Sequence, residues 1–306
     1  MANTERSYMG YIVSIANMKG GVGKTTIAVN LATCLARDRQ KRVLIVDLDT
    51  QINATLSMMP PLYFAKLKQE RRTLKTLVHQ TIRTDTEERL SIEKIIYRDI
   101  CQIKGLDILA GDVELYDDFV LSALIAGKSQ SHQQDFERTW NNVENNLIRV
   151  LLKPIIKQYD LILLDFPPGD SLITRSALLA SHYYLIPAKA EPLSVVGIGL
   201  LESRIEQLKK VNRGAIESLG IVYTSRGQVT DMERKVKYRL EQEFGTEKIF
   251  STEIPLNVDV ARAVDDFQPV VLNSPHSSGA KAFVKLAPEF LRKLVKLVKS
   301  KRENKR

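Results

Sequence analysis

A chain of 306 residues, 44% hydrophobic and 26% charged, carries enough apolar side chains for one substantial α/β core. No apolar run approaches the ~18 residues of a membrane span, and no secretory core follows the first residues. The two cysteines, Cys34 and Cys101, form neither a disulfide framework nor a metal-ligand spacing, so integral-membrane, secreted disulfide-rich and zinc-site classes are set aside in favour of a cytoplasmic protein.

From the N-terminus, residues 11–16 are apolar and read as a buried parallel strand, and 27–36 as an apolar-rich helix. Between them stands Asn17-Met18-Lys19-Gly20-Gly21-Val22-Gly23-Lys24-Thr25-Thr26. A strand, a glycine-rich turn and a helix in this order form a phosphate-binding loop. Its glycines let backbone N–H groups point at phosphate oxygens, and the helix N-terminus adds partial positive charge. The expected ATP contacts are Gly20, Gly21, Val22, Gly23, Lys24, Thr25 and Thr26, with Lys24 on the β/γ-phosphates and the Thr25 hydroxyl on Mg²⁺. The usual spacing places a glycine at 18; Met18 stands there, and an additional lysine, Lys19, precedes Gly20.

Residues 42–47 read as a second buried strand, from whose carboxyl end the acidic segment Asp47-Leu48-Asp49-Thr50-Gln51-Ile52-Asn53-Ala54-Thr55 departs. Residues 106–111 make a third strand, and 159–165 a fourth that ends at Asp165 before Phe166-Pro167-Pro168-Gly169. An aspartate at such a strand end holds Mg²⁺ in a Walker B arrangement, or else caps a turn. Segments 183–187, 219–224 and 249–254 supply three more strands, and 199–211 and 231–244 are helical. This alternation predicts a doubly wound, mostly parallel twisted sheet within one domain spanning 1–306. Segment 60–74 shows no clear period, and 126–145 reads as an exposed insertion.

The charge is concentrated at the end of the chain. The formal net charge is +9, yet residues 280–306 hold ten Lys/Arg and two Glu, leaving the remainder close to neutral. There Phe283, Leu286, Phe290, Leu294 and Leu297 recur at helical spacing opposite Lys281, Lys285, Arg292, Lys293, Lys296 and Lys299. The apolar stripe is expected to dock on the core, ahead of a polar tail. The basic face is solvated, or meets a phosphate-rich polymer such as DNA, or an anionic membrane. Arg226, Arg234 and Lys237, with Arg292, Lys293 and Lys296, are the candidate DNA contacts.

The Lys19-bearing loop, the D-x-D-x-Q-x-N-A-T segment 47–55, the D-x-I-x-x-D-x-P-P stretch ending at Pro168, Ile254-Pro255-Leu256-Asn257, and Ser278-Gly279-Ala280-Lys281 together resemble the ParA/MinD family of deviant Walker A ATPases over nearly the whole chain. Their partition and positioning members are the nearest in pattern, including the carboxysome-positioning type. The resemblance implies a P-loop fold of the SIMIBI class, ATP and Mg²⁺ as ligands, and slow hydrolysis that a partner stimulates. It implies that Lys19 reaches the phosphates of a second subunit in an ATP-dependent homodimer and that Asp49 positions the attacking water. Asp47 would stand near the Mg²⁺ shell beside Thr25 and Asp165, and Pro255 and Asn257 would border the adenine.

The resemblance further implies nonspecific DNA binding on the nucleoid and release by a small ParB- or McdB-like adaptor, with a plasmid, a chromosome or a cytoplasmic body as cargo. Only 16 residues precede Asn17, so an added helix-turn-helix domain is not expected. Phe166 and Thr50 depart from the family's usual small hydroxyl residue and proline. A MinD-like membrane ATPase shares the same ATP site, but its anchor would follow the folded domain with apolar residues near the end, where 300–306 is polar. An iron–sulfur reductase built on this loop needs paired cysteines at the partner-facing surface, where Cys34 does not fall. A nucleotide-binding scaffold without hydrolysis fits poorly with the presence of Lys19, Lys24, Asp49 and Asp165.

Overall fold

The computed structural model describes residues 10–82, 89–115, 133–211, 216–225 and 230–303. The chain begins with β1 (Tyr11–Ile15), α1 (Lys24–Arg39), β2 (Val43–Asp47) and the short α2 (Asn53–Leu56). Next come α3 (Pro61–Gln69), α4 (Leu74–Ile82), α5 (Ile92–Ile95), β3 (Leu106–Leu109), α6 (Gln133–Leu152) and β4 (Leu161–Asp165). They are followed by α7 (Leu172–Ala180), β5 (Tyr183–Lys189), α8 (Pro192–Val211), β6 (Glu217–Ser225) and α9 (Asp231–Phe244). Finally β7 (Ile254–Pro255) leads to α10 (Val258–Asp265), α11 (Val270–Asn273) and the long α12 (Ser278–Glu303).

The strands pair in the order β3-β2-β4-β1-β5-β6-β7, every pairing parallel. A parallel sheet covered on both faces needs strands that are apolar throughout, and β2 and β4 are buried at every position. Side chains alternate between the two faces with the strand's period of two. Val13, Ile45 and Leu163 join the core beneath α1 and α12, whereas Ile12, Leu44 and Leu164 join the core beneath α4, α6, α7 and α8. The expected doubly wound sheet is what the chain forms.

Four local expectations are revised. Segment 60–74 contains α3, opened by Pro61 in the first helical position, where a missing N–H costs nothing. The second half of the 126–145 insertion is α6; Phe136, Trp140 and Val143 pack on the core, and Glu144 forms an ion pair with Arg175 of α7. Residues 126–132 lie outside the described part. Helix α8 begins at Pro192, earlier than the expected 199–211 segment. Residues 249–254 are not a continuous strand: Ile249 makes a single bridge to Ile221, and pairing resumes only at β7.

The reason lies in α12. Glu289, buried, accepts the Ser251 N–H at 2.6 Å and both the N–H and hydroxyl of Thr252 at 3.0 and 2.7 Å. Burial alone would raise its carboxyl, but these donors hold it below the usual carboxylate range. Backbone donors that a strand would have used are spent on this carboxylate. Together with Phe283, Leu286, Phe290 and Leu294, all buried, the contact locks the C-terminal helix onto the sheet.

Between β1 and β5, His182 accepts the Ile12 N–H on Nδ1 at 3.0 Å. Burial, reinforced by the Lys301 and Arg149 charges, holds this imidazole below its ordinary value of 6.5. A base with a lowered folded pKa takes its proton preferentially in the unfolded chain. Its contribution to stability is therefore complete above about pH 6.5 and shrinks as the pH falls below it. Thermal melts between about pH 7.5 and pH 5 are expected to show this loss, and His182→Asn, which keeps an acceptor, should have a flatter profile. Equal slopes in the two proteins would contradict it.

Candidate nucleotide site

The loop after β1 is shaped by two left-handed glycines, Gly21 (φ 67°) and Gly23 (φ 88°), the second serving as N-cap of α1. A Cβ at Gly23 would meet Thr224 Cγ2 at 3.3 Å and a Leu256 methyl at 3.5 Å, so the position needs glycine on grounds of both backbone and space. Thr224 at the end of β6 donates its hydroxyl to the Val22 carbonyl at 3.1 Å and fixes the loop from the far side. Lys24, nearly buried, donates to the Lys19 carbonyl at 2.9 Å, across the mouth of the loop. Burial lowers its pKa, and the Asp165 and Asp49 charges oppose that. An ammonium held here by one carbonyl has donors left for an incoming anion.

Parallel register brings the two acidic strand ends together. Asp47 and Asp165 are partners in the β2–β4 pairing, and Asp165 also stands opposite Ile15. The Thr25 hydroxyl donates to Asp165 Oδ2 at 2.7 Å, while Asp165 Oδ1 is buried and has no hydrogen-bond partner among the described residues. Burial first, then the Asp47 carboxylate, pushes Asp165 well above its usual range. An orphaned carboxylate oxygen beside a hydroxyl is a donor set suited to a hard cation that takes few protein ligands. The residues present therefore fit Mg²⁺, through Thr25 and Asp165.

Asp47 is placed otherwise than expected. Its Oδ2 accepts both the N–H and the hydroxyl of Thr55, at 2.9 and 2.7 Å, and its Oδ1 accepts the Asp49 N–H at 3.1 Å. Burial raises its pKa to about 6 against the pull of these donors. Its oxygens are turned to the 47–55 segment, which Asp47 pins, and it does not line the nucleotide cavity. Asp49 does line it, with Oδ1 accepting the Gln51 N–H at 3.0 Å.

The cavity over the loop measures about 440 Å³, ample for a nucleotide. The loop glycines, Lys24, Thr25, Thr26 and Asp49 line it together with the apolar Leu256, Val260 and Val264 and with Asn257. Asn257 caps α10 by accepting the Val260 N–H at 3.2 Å, and it donates to Ser278 at the start of α12 at 2.9 Å. Pro255 ends β7 and does not line the cavity, and Leu256 faces it instead. Leu256, Val260, Val264 and Phe166 were not among the expected contacts. For Val260 and Val264 the available signal was their four-residue spacing after the Asn257 cap, which reads equally well as core; Leu256 and Phe166 carried no such signal.

An AAA domain family model (AAA_31) matches residues 10–218, a span containing the loop, Asp49 and Asp165. The sporulation initiation inhibitor protein Soj of Bacillus subtilis is 31% identical over 281 residues, 92% of this chain and 98% of Soj. The chromosome-partitioning ATPase Soj of Thermus thermophilus is 32% identical over 279 residues, 91% and 94% of the two chains. The chain belongs to the ParA/MinD family of ATPases. Among solved structures, an ATP complex of McdA from Cyanothece aligns with a TM-score of 0.70 and 18% identity over 92% of this chain and 96% of McdA, a likeness of fold.

The extra lysine of this ParA/MinD-family chain stands apart from its own cavity. Lys19 Nζ pairs with Glu191 Oε1 at 2.5 Å, on the surface just before α8, with 29% of its side chain exposed. Only the Lys19 carbonyl faces inward, to Lys24. Asn17 fixes this geometry, accepting the Lys19 N–H at 2.9 Å and donating to the Pro187 carbonyl at 2.7 Å.

The candidate DNA contacts divide. Lys293 is committed internally, donating to the Glu247 and Ile249 carbonyls at 2.5 and 3.1 Å over the Phe250 ring. Lys237 pairs with Glu253 at 2.5 Å over Tyr223 and is mostly buried. Neither is available as an open phosphate contact, because each already serves a tertiary contact of its own. Arg292 and Lys296 are exposed on the outer face of α12, and Arg234 is exposed with Asp231 as its ion-pair partner. Arg226 lies outside the described residues.

Proposed function

We propose that this chain is an ATP-hydrolysing positioning protein that works as a nucleotide-switched homodimer on DNA. The observation that carries the reading is the position of Lys19: its ammonium is at the protein surface beside the loop and outside the cavity its own nucleotide would fill. A cation in that place is suited to the phosphates of a second, facing subunit. ATP then brings its own counter-charge requirement to the interface, and dimerisation and nucleotide state become one switch.

Within each subunit, the loop N–H groups and Lys24 bind the phosphates, with Lys24 exchanging the Lys19 carbonyl for a phosphate oxygen. Thr25 and Asp165 would hold Mg²⁺, which would supply charge neutralisation to the phosphate oxygens. Asp49, at the end of a segment pinned by Asp47 and Thr55, orients water toward the γ-phosphate. Leu256, Val260 and Val264 exclude water from the base. Phosphoryl transfer asks mainly for such positioning and charge neutralisation.

In the dimer, the exposed basic side chains of α12 meet DNA phosphates without reading sequence. A cargo-bound adaptor, ParB- or McdB-like, speeds hydrolysis and releases the dimer locally. The cargo, a plasmid, a chromosome or a body such as a carboxysome, then follows the resulting gradient, and the protein resides on the nucleoid in the cytoplasm. Burial of Phe283, Leu286, Phe290 and Leu294 of α12, with Leu297 partly buried against the same core, supports docking over membrane insertion.

The test is binding to random-sequence duplex DNA with no nucleotide, ADP, ATP or a non-hydrolysable analogue, across a salt series, with anionic liposomes in parallel. ATP-dependent, salt-sensitive DNA binding is the expected result. Liposome binding without DNA binding would replace this reading with a membrane-switched ATPase.

A further inference from the structure

We propose that a second cavity, at the amino ends of β2, β3 and β4, is a binding site for a small phosphorylated molecule. At about 840 Å³ it exceeds the nucleotide cavity, and it sits at the opposite end of the sheet, below strands whose carboxyl ends carry Asp47 and Asp165. Five residues per strand separate the two by roughly 16 Å of sheet.

The walls are charged. Arg37, Lys41, Arg42, Arg98 and Lys104 line the cavity with Asp99 and Asp107, and Asp38 and Asp160 stand behind Arg37 and Arg42, so five cations face four carboxylates. Three of the guanidinium groups are held in place by contacts that leave donors over. Arg42 donates to Asp160 at 3.2 Å, Arg37 is forked on Asp38 at 2.6 and 2.9 Å, and Arg98 Nη1 reaches Asp107 at 3.1 Å and the Tyr159 hydroxyl at 3.3 Å. Asp107 is itself buried and receives the Tyr159 hydroxyl at 2.6 Å, so part of the floor is a closed polar network. Arginine oriented in this way is preorganised for planar or tetrahedral oxyanions, since each guanidinium presents five N–H donors.

The rim adds a separate observation. Asp99 and Gln102 have left-handed backbones (φ 49° and 60°) and both line this cavity, whereas the left-handed Gln40 beside them is simply the C-cap of α1. Strained backbone of this kind concentrates where a loop must hold a ligand-shaped surface. The volume lies in the range of small-molecule pockets, and a concave, bounded site suits a compact polyanion better than a duplex.

The experiment is calorimetric titration of sodium tripolyphosphate into the full chain carrying Lys24→Ala, which silences the phosphate loop. One binding event should persist there. It should weaken at least tenfold in Lys41→Glu/Lys104→Glu on the same background, and also in Arg98→Gln. The Lys41→Glu/Lys104→Glu pair in the parent chain should keep its ATPase rate. No residual binding in Lys24→Ala, or residual binding that both sets of changes leave alone, overturns the proposal. So does an outcome in which the paired glutamates abolish duplex DNA binding and spare tripolyphosphate, because the surface would then belong to nucleic acid. Each of these failures leaves the ATP-dependent switch at the other end of the sheet standing.

Discussion

Lys19→Ala is expected to bind ATP within a few-fold of the parent chain and to lose ATP-dependent dimerisation and DNA binding together. The loop N–H groups, Lys24 and Thr25 all remain in the variant, and the Lys19 side chain does not line the nucleotide cavity. The loss falls on the encounter of two ATP-loaded subunits, where two polyanions approach with their cross-interface cation removed. Truncating one partner of a desolvated charge pair costs about 2–5 kcal/mol, a weakening of roughly 30- to 5000-fold per lysine. The surface pair with Glu191 that must break first is half-exposed and worth only about 0–1 kcal/mol, so it does not offset that loss. Sedimentation and nucleotide-binding measurements on the same preparation separate the two effects. A Lys19→Ala protein that still dimerises with ATP and binds DNA would remove the central premise of the switch.

Asp49→Ala should do the reverse. It leaves ATP binding and dimerisation in place and lowers single-turnover hydrolysis by about 10²- to 10³-fold, the range for a positioned proton-accepting or water-orienting side chain. The structural basis is that Asp49 faces the cavity on a short segment tied at both ends, by Asp47 to the Asp49 N–H and by Asp47 to Thr55. Because those ties run through Asp47 and the Asp49 backbone, removing the Asp49 carboxylate leaves the segment anchored. The expected consequence is a dimer that accumulates on DNA with ATP and does not leave. Hydrolysis at the parental rate, or an equal loss of ATP binding, would assign Asp49 to structure.

The features legible in the sequence share one property: they are set by neighbours in the chain. The glycine spacing that lets Gly21 and Gly23 turn left-handed, the lysine and threonine at the helix start, and the unbroken apolar strands ending in Asp47 and Asp165 are all written within a few residues. Backbone geometry and the strand period of two convert such patterns directly into structure. The extra Lys19 belongs to this class, and so does the amphipathic C-terminal helix.

What required the tertiary structure was the choice of partner among groups far apart in sequence. Asp47 and Asp165 look alike as strand ends, yet Asp47 is saturated by Thr55 and Asp49 while Asp165 keeps an oxygen without a partner among the described residues. Lys293 and Arg292 are adjacent basic residues, but the helix turns Lys293 onto the Glu247 and Ile249 carbonyls and leaves Arg292 exposed. Residues 251–252 had strand character until Glu289, nearly forty residues later, claimed their N–H groups. Spacing alone pointed to a phosphate-binding loop with an additional lysine before it. Packing decided which carboxylate is free for a cation and which lysines are spent inside, because a buried polar group must take whatever partner the fold brings within about 3 Å.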